Sequence, residues 1–210
     1  ELDFQFAEAD SNKFDKIVIF FNLNGGDTNT YYFDDLTLYT GSGGGTQNNV
    51  VSILNDSFTD ITVDSWGPEW GTSSARIVDG TLNGSAAKVI NMDAGKTFAG
   101  IDFAASAFDA TDFTTFHIDY KVDTLLPGQV FNIKLSNHDG GNGETSAIQY
   151  TSVPTDTNTV SLSIPLADFV AASDPQNLAR NAIAQIVISA ARADTNQAVN
   201  ITIDNIYFSK

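Results

Sequence analysis

The segment from Asp64 to Gly71 holds the densest group of residues that can bind a ligand. Both tryptophans of the chain, Trp66 and Trp70, lie in it, with Glu69 between them. Its glycine and proline residues predict a loop, and a loop can present an indole face to a ligand. Pyranose rings have apolar faces that stack on such a surface, and a carboxylate accepts hydrogen bonds from hydroxyl groups. The segment therefore predicts a sugar-binding site; the alternative is that one or both indoles pack into the core.

A second polar segment runs from Asn137 to Glu144 and is rich in glycine. Asn137, His138 and Glu144 bring donors and acceptors together at close spacing. We interpret them as recognising hydroxyl groups beside the tryptophans, or as calcium ligands, although the spacing of an EF-hand loop is not met. The alternative is a solvated hairpin loop.

Two further carboxylates favour a structural cation. Asp56 lies near the start of the predicted module and Asp204 lies in its last predicted strand. The first and last strands of a sandwich are commonly neighbours, so these oxygens can converge, and Ca²⁺ takes six to eight oxygen ligands. The alternative is that Asp204 caps backbone N–H groups of an adjacent loop.

The sequence favours a binding protein over an enzyme. Its two histidines, His117 and His138, lack the partner spacing of a catalytic triad and the paired-histidine pattern of metalloproteases. The many acidic residues could supply the pair of carboxylates that glycoside cleavage requires. Most of these residues, however, lie in predicted turns or at the ends of predicted strands.

The charge and the missing cysteines narrow the choice of partner. The chain has 26 acidic and 10 basic residues, for a net charge of −16. That balance argues against nucleic acids and against anionic lipid surfaces, whereas neutral ligands and divalent cations are compatible with it. Without cysteine, the chain has no disulfide framework or thiolate metal site. No apolar run reaches the roughly 18 residues of a membrane-spanning helix.

Alternating apolar residues predict an all-β fold. Phe116, Ile118, Tyr120 and Val122 share one face of a strand, and the run around Ile186 predicts a central strand. Many short strands separated by turn signals indicate a β-sandwich or jelly roll. One short helical segment is predicted at 173–182, where proline follows aspartate.

Similar strand patterns occur near both ends of the chain. Residues 31–38 share a pattern with residues 201–208, including an acidic pair of positions inside each strand. We therefore interpret residues 1–40 as the C-terminal part of a preceding β-sandwich module and residues 41–49 as a Gly/Ser linker. Residues 50–210 then form one complete β-sandwich module.

The order of several motifs resembles a known family. The motifs are Asn55-Asp56-Ser57-Phe58, Trp66 to Gly71, Phe116 to Asp119, Ser163 to Phe169 and Ile203 to Phe208. Together they resemble a non-catalytic β-sandwich carbohydrate-binding module of bacterial glycoside hydrolases, laminarinases among them, and of surface glycan-binding proteins. The resemblance implies a jelly roll, often with structural calcium near the first and last strands, which would place Asp56 and Asp204 at the metal. It also implies sugar binding through aromatic residues, on edge loops or on a concave sheet face.

The expected function is non-catalytic binding of a polysaccharide, with a β-glucan such as laminarin favoured by the resemblance. The same resemblance implies a multi-modular protein, with further modules upstream, that is secreted or held on the outer surface of a Gram-negative bacterium. One alternative is a structural or adhesion spacer without sugar affinity, which predicts buried tryptophans. A less favoured alternative is a glycan-degrading enzyme domain.

Overall fold

The computed structural model describes residues 49–139, 143–172 and 178–210. The predicted module remnant at 1–40 and all but the last residue of the predicted linker lie outside the described residues. The strands, numbered in chain order, are β1 Val50–Leu54, β2 Ser65–Trp66, β3 Arg76–Leu82, β4 Ser85–Met92, β5 Phe98–Asp102, β6 Thr115–Val122, β7 Val130–Asn137, β8 Ser146–Ser152, β9 Val160–Pro165, β10 Val170–Ala171, β11 Ile183–Ala191 and β12 Val199–Ser209.

Within the described residues the strands form two antiparallel sheets. The first has the order β3-β4-β12-β6-β9, and β1 also pairs with β12. The second has the order β10-β8-β7-β11-β5-β2. The predicted all-β sandwich is confirmed, and the run around Ile186 is a central strand of the second sheet, as predicted.

The helical prediction at 173–182 is not met where it can be checked. Residues 178–182 contain no helix, and residues 173–177 lie outside the described residues. The backbone N–H of Ala182 donates instead to Oδ1 of Asn137 at 2.7 Å. The carbonyl of Arg180 accepts from Ala110 N at 2.8 Å. These long-range bonds tie the segment to distant parts of the chain. The two short 3₁₀ turns of the described chain are Ala104–Ser106 and Leu166–Asp168. No helix in this part of the chain has the length and apolar character needed to span a bilayer.

The core lies between the two sheets, and aromatic contacts link one sheet to the other. In β6 the four predicted inward residues, Phe116, Ile118, Tyr120 and Val122, are at most 1% exposed. Tyr120 stacks on Phe131 of the second sheet with ring centroids 4.1 Å apart. Because the Tyr120 hydroxyl also meets Ser152 Oγ at 2.9 Å, this buried polar group keeps a partner.

The Asp204-Asn205 pair in the last strand lies in a bulge. The register of β12 against β6 shifts between Asp204 and Tyr207, and Asn205 has a left-handed φ of 52°, which asparagine tolerates better than most residues. Asn205 is fixed from two sides, because its Nδ2 donates to Asp119 Oδ2 at 2.7 Å and its Oδ1 accepts from Asn55 at 2.8 Å. The bulge lets β12 pair with β4 along its first half and with β1 along its second.

His117 lies on the outward face of the first sheet in a closely packed setting. Its ring stacks on Tyr207 with centroids 4.1 Å apart. Its nitrogens meet Ser163 Oγ at 3.0 Å and Ser209 Oγ at 2.9 Å. Burial lowers the pKa of His117, against an opposing effect of the Asp119 carboxylate.

This environment predicts a pH dependence of stability. The unfolded chain binds a proton at His117 near pH 6.5, whereas the folded chain binds it only at lower pH. Below about pH 6.5 the unfolded state therefore holds more protons, so stability falls as pH falls until the folded state is protonated too. Thermal melts of wild type and His117→Gln at about pH 7.5 and 5.5 test this. We expect the acid-induced loss of melting temperature to be smaller in the variant, and equal losses would contradict the assignment.

Candidate functional site

The outward face of the second sheet carries a continuous row of side-chain positions across five strands. The register pairs Gly100 with Val187, Val187 with Lys134, Lys134 with Gln149, and Gln149 with Val170. Neighbouring strands lie about 4.8 Å apart, so the row is roughly 19 Å long. Because side chains alternate along a strand, the residues directly before and after each of these positions face the core. We call this set the central row.

Polar side chains flank the central row on both sides. On one side Gln185 Nε2 donates to Asp102 Oδ1 at 3.3 Å. On the other, Thr151 Oγ1 donates to Asn132 Oδ1 at 2.7 Å, and Asn132 Nδ2 donates to Ser189 Oγ at 3.1 Å. These bonds link neighbouring strands and orient the amide groups. Each amide NH₂ has a second N–H and each oxygen a second lone pair, so the face can still bind hydroxyl groups.

Trp70 lies flat on this face, above Gly100. A Cβ built on Gly100 would fall 2.1, 2.4 and 2.7 Å from Cζ3, Cη2 and Cε3 of the indole. Those three distances are too similar for an approach in the plane of the ring, so the face of the six-membered ring covers the glycine. Trp70 is 39% exposed. One indole face therefore rests on the sheet at one end of the central row, and the ring still offers surface to solvent.

The loop that carries Trp70 is tied to β5 on both sides of the indole. Gly67 N donates to Gly100 O at 2.8 Å, and Ala75 N donates to Phe98 O at 2.7 Å. Gly67 has a φ of +70°, and a Cβ there would lie 2.5 Å from the backbone nitrogen of Ile77, so both conformation and space require glycine. These anchors fix where the indole can lie.

Trp66 occupies a different environment from Trp70. It pairs with Ile101 of β5, whose side chain is fully buried, so Trp66 points towards the core. Its ring packs half-buried against the core cluster, and Lys88 Nζ lies 4.8 Å from the ring centroid. Of the two alternatives left open by the sequence, packing against the core therefore applies to Trp66 and exposure applies to Trp70. Of the two indoles, only Trp70 extends the outward face.

Two of the three residues singled out in the polar loop also lie at this face. Lys134 Nζ in the central row forms an ion pair with Glu144 at 2.7 Å. Ser136 Oγ, in the row that contains Gln185, lies 2.9 Å from Glu144 Oε2 and 3.0 Å from His138 Nε2. The structure thus brings Glu144 and His138 to the same face as Trp70.

The remaining two predicted site residues differ from each other. Glu69 is exposed beside Trp70. Asn137 is only 1% exposed, and its side chain binds Ala182 N at 2.7 Å and Asn181 Oδ1 at 3.3 Å. Asn137 was expected to face a ligand, whereas in the structure its amide hydrogen-bonds a neighbouring segment, since a buried amide needs partners.

Comparison with known proteins identifies the family. Residues 51–210 match the profile of the family described as carbohydrate binding domain 30. The chain belongs to this family. A search of curated protein sequences gave no match. Membership of a family of binding modules makes carbohydrate binding the general function and indicates a non-catalytic domain.

Solved structures share the fold of this family 30 module. A family 30 carbohydrate-binding module has 16% identity and a TM-score of 0.54, over 77% of this chain and 99% of that one. The family 30 module of a cellulosomal cellulase of Clostridium thermocellum has 14% identity and a TM-score of 0.54, over 77% and 97% of the two chains. A family 11 module from Clostridium thermocellum, in complex with a β-1,3-1,4-mixed-linked tetrasaccharide, has 15% identity and a TM-score of 0.52, over 77% and 95%. At these identities the likeness concerns the fold alone.

The two predicted metal ligands lie close together at the β12 bulge. Ser85 Oγ donates to Asp56 Oδ2, and both residues lie close enough to Asp204 to affect its pKa. Burial raises the pKa of Asp204, although a hydrogen bond from Asn205 N opposes the rise; the carboxylates of Asp56 and Asp119 raise it further. The candidate ligand atoms are all oxygens, which suits Ca²⁺. Among the described residues, however, no three His, Cys, Asp or Glu side chains are placed to hold an ion together, so a cation here would also need backbone carbonyls or water.

Sequence patterns missed most of the module's outward face. The missed positions are Gly100, Asn132, Lys134, Gln149, Gln185 and Val187. The available signal was the alternation around Ile186 and Ile188, since the residues between buried positions must face outward. What the sequence lacked was the pairing that aligns such positions from five strands.

Proposed function

We propose that this family 30 module binds a β-glucan, without cleaving it, on the outward face of the second sheet. The observation that carries the proposal is Trp70, which lies face-down on Gly100 and remains partly exposed at one end of the central row. A flat aromatic surface continued by polar side chains suits a polymer whose rings are apolar on their faces and polar around their edges.

The chemistry of the face favours a neutral polymer. Asp102, Glu69 and Glu144 bring negative charge to it, and Lys134 is already paired with Glu144. An anionic polysaccharide would meet like charges, which disfavour binding. β-Linked glucose units place their hydroxyl groups around the ring edge, where amides and carboxylates can reach them. The mixed-linked tetrasaccharide held by the family 11 module makes a mixed-linked β-glucan a natural probe beside laminarin.

Each side chain has a defined part in this proposal. Trp70 stacks on a sugar ring at one end of the central row. Gln149 and Gln185 hydrogen-bond hydroxyl groups, and the Lys134–Glu144 pair supplies a donor and an acceptor side by side. His138 and Glu69, which the sequence also predicts as ligand contacts, lie at the margins. Trp66 and Asn137 support the site from within.

Electrophoresis in gels that contain a polysaccharide tests the proposal. The panel comprises laminarin, a mixed-linked β-1,3-1,4-glucan, an α-glucan and polygalacturonate. We expect retardation by one or both β-glucans, and normal migration in the other two. Normal migration in both β-glucans would overturn the proposal and favour a spacer module without sugar affinity. Release of reducing ends from a retained glucan would instead show an enzyme.

We also propose the wider setting that the sequence suggested. The strand pattern repeated in residues 31–38 and the Gly/Ser segment at 41–49 support a multi-modular protein. Glucans of this kind are met outside the cell, so the protein would be secreted or held on the surface of a Gram-negative bacterium. Protease accessibility of the full-length protein on intact cells tests this location.

We further propose a structural Ca²⁺ held by Asp56 and Asp204. Support comes from the closeness of the two carboxylates, because the charge of Asp56 raises the pKa of Asp204, and from the burial of Asp204, which is 2% exposed. A bound cation would neutralise two neighbouring carboxylates and fix the start of the module to the β12 bulge. It would take no part in sugar chemistry.

Chelation tests the calcium proposal. At about 100 times its Kd, Ca²⁺ stabilises the folded state by about 2.7 kcal/mol. For a module of this size that is a rise in melting temperature of roughly 5–11 °C. We expect EDTA to remove this increment in wild type and to have no effect on Asp204→Asn. Asp112→Asn, a change at an exposed carboxylate, should respond to EDTA like wild type. Equal melting temperatures of wild type in Ca²⁺ and in EDTA would refute the site.

A further inference from the structure

Gly100 occupies a position where the backbone does not require glycine. It lies in the middle of β5, which pairs with β11 on one side and with β2 on the other. Gly67, Gly84 and Gly128 have positive φ values, and Gly100 does not belong to that group. Glycine inside a strand weakens the strand and commonly marks a place where another group approaches closely. The reason for this glycine is therefore in its surroundings.

The group that approaches Gly100 is the indole of Trp70. A Cβ at position 100 would lie 2.1 Å from Cζ3 of that indole, far inside van der Waals contact. The backbone on both sides of the indole is tied to β5 through Gly67 and Ala75, so the loop cannot lift as a unit. An added methyl group would force the ring itself to rotate away from the sheet.

We propose that Gly100 is a positioning residue, which sets the height and tilt of Trp70 so that its free face continues the central row. With glycine at 100, the ring lies directly on the sheet above Gly100, whose register partner in the central row is Val187. With any side chain at 100, the ring would stand away from the sheet and interrupt the platform. The consequence for binding rests on the proposed function, whereas the seating of the indole can be tested without any ligand.

The ligand-free test uses Trp70 as the only tryptophan. Gly100→Ala is placed in a Trp66→Phe background, and quenching of Trp70 fluorescence by acrylamide is measured. We expect a higher quenching constant than in Trp66→Phe alone, because a ring lifted off the sheet exposes its second face. Gly80→Ala is the matched control: it also adds a methyl group to a strand glycine, but its new Cβ meets the Val89 side chain of the first sheet, 2.5 Å from Cγ2. That control should leave quenching unchanged.

A double-mutant cycle separates seating from a general defect of the strand. Gly100→Ala should lower the melting temperature by about 3 °C or more when Trp70 is present. In a Trp70→Ala background the same change should leave it unchanged or raise it, because alanine is then free of the clash. Equal shifts in both backgrounds, or unchanged quenching, would overturn the inference.

The binding arm measures affinity for the β-glucan that wild type retains. We expect Gly100→Ala to weaken it by about tenfold or more, which corresponds to about 1.4 kcal/mol, and Gly80→Ala to keep it. If Gly100→Ala shows the quenching change and yet binds like wild type, the positioning role in binding is refuted. If wild type retains no glucan, the proposed function fails, while quenching and the cycle still decide the seating of Trp70.

Discussion

Trp70→Ala is expected to weaken β-glucan binding by about 30-fold or more, while the melting temperature stays within about 3 °C of wild type. Exposed aromatic anchors at binding sites commonly contribute 2 kcal/mol or more, which corresponds to about 30-fold in Kd. Trp70 is 39% exposed and rests on the outer face of the sheet. Its removal therefore leaves no cavity in the core, and the effect on stability remains small.

Isothermal titration with a soluble β-glucan oligosaccharide measures this effect, and Trp66 supplies the control. Trp66→Phe keeps an aromatic ring against the core and should bind like wild type. Trp66→Ala should lower the melting temperature, because it empties a half-buried position beside Ile101. Wild-type affinity in Trp70→Ala would remove this indole from the site. Lost affinity in a fully folded Trp66→Phe would show that the two indoles have been assigned the wrong way round.

Phe208→Ala is expected to cause the largest loss of stability, about 3–5 kcal/mol. Phe208 is fully buried. Its ring centroid lies 5.0 Å from those of Phe108 and Phe116 and 6.3 Å from that of Phe113. Deleting the ring opens a cavity among three aromatic side chains, which a close-packed core cannot close. For a module of this size the loss corresponds to roughly 6–20 °C in melting temperature.

Denaturant unfolding followed by circular dichroism measures the Phe208 effect. The matched control is Val153→Ala, which also deletes apolar side-chain atoms but at a position that is 61% exposed. The control should stay within about 0.5 kcal/mol of wild type. If Phe208→Ala unfolds at the same denaturant concentration as wild type, Phe208 does not lie at the centre of the core.

The sheet architecture was predictable because buried and outward-facing residues alternate locally along a strand. In β6 each inward residue is separated from the next by one outward residue, and this period of two specifies a half-buried strand without reference to the rest of the chain. The pair Asp204-Asn205 is visible in the sequence, but a local pattern does not identify it as a bulge. The bulge is defined by pairing with β6 and β1, which lie far away in sequence.

The site was predictable only in part, because it depends on which strands become neighbours. The local sequence pattern does not distinguish Trp66 from Trp70, because both lie in the same segment. Pairing with Ile101 turns the first inward, and the absence of a side chain at Gly100 gives the second its place. Asn137 looked like a loop residue, yet the distant Ala182 N–H made its buried amide structural.

Two-dimensional ¹H–¹⁵N NMR during titration with a mixed-linked β-glucan oligosaccharide tests the central claim most directly. The account predicts that the indole N–H of Trp70 and the side-chain amides of Gln149, Gln185 and Asn132 shift together and saturate together. Resonances of the opposite face, such as the backbone N–H of His117, should stay in place. Shifts confined to the first sheet, or no shifts with any β-glucan, would contradict it.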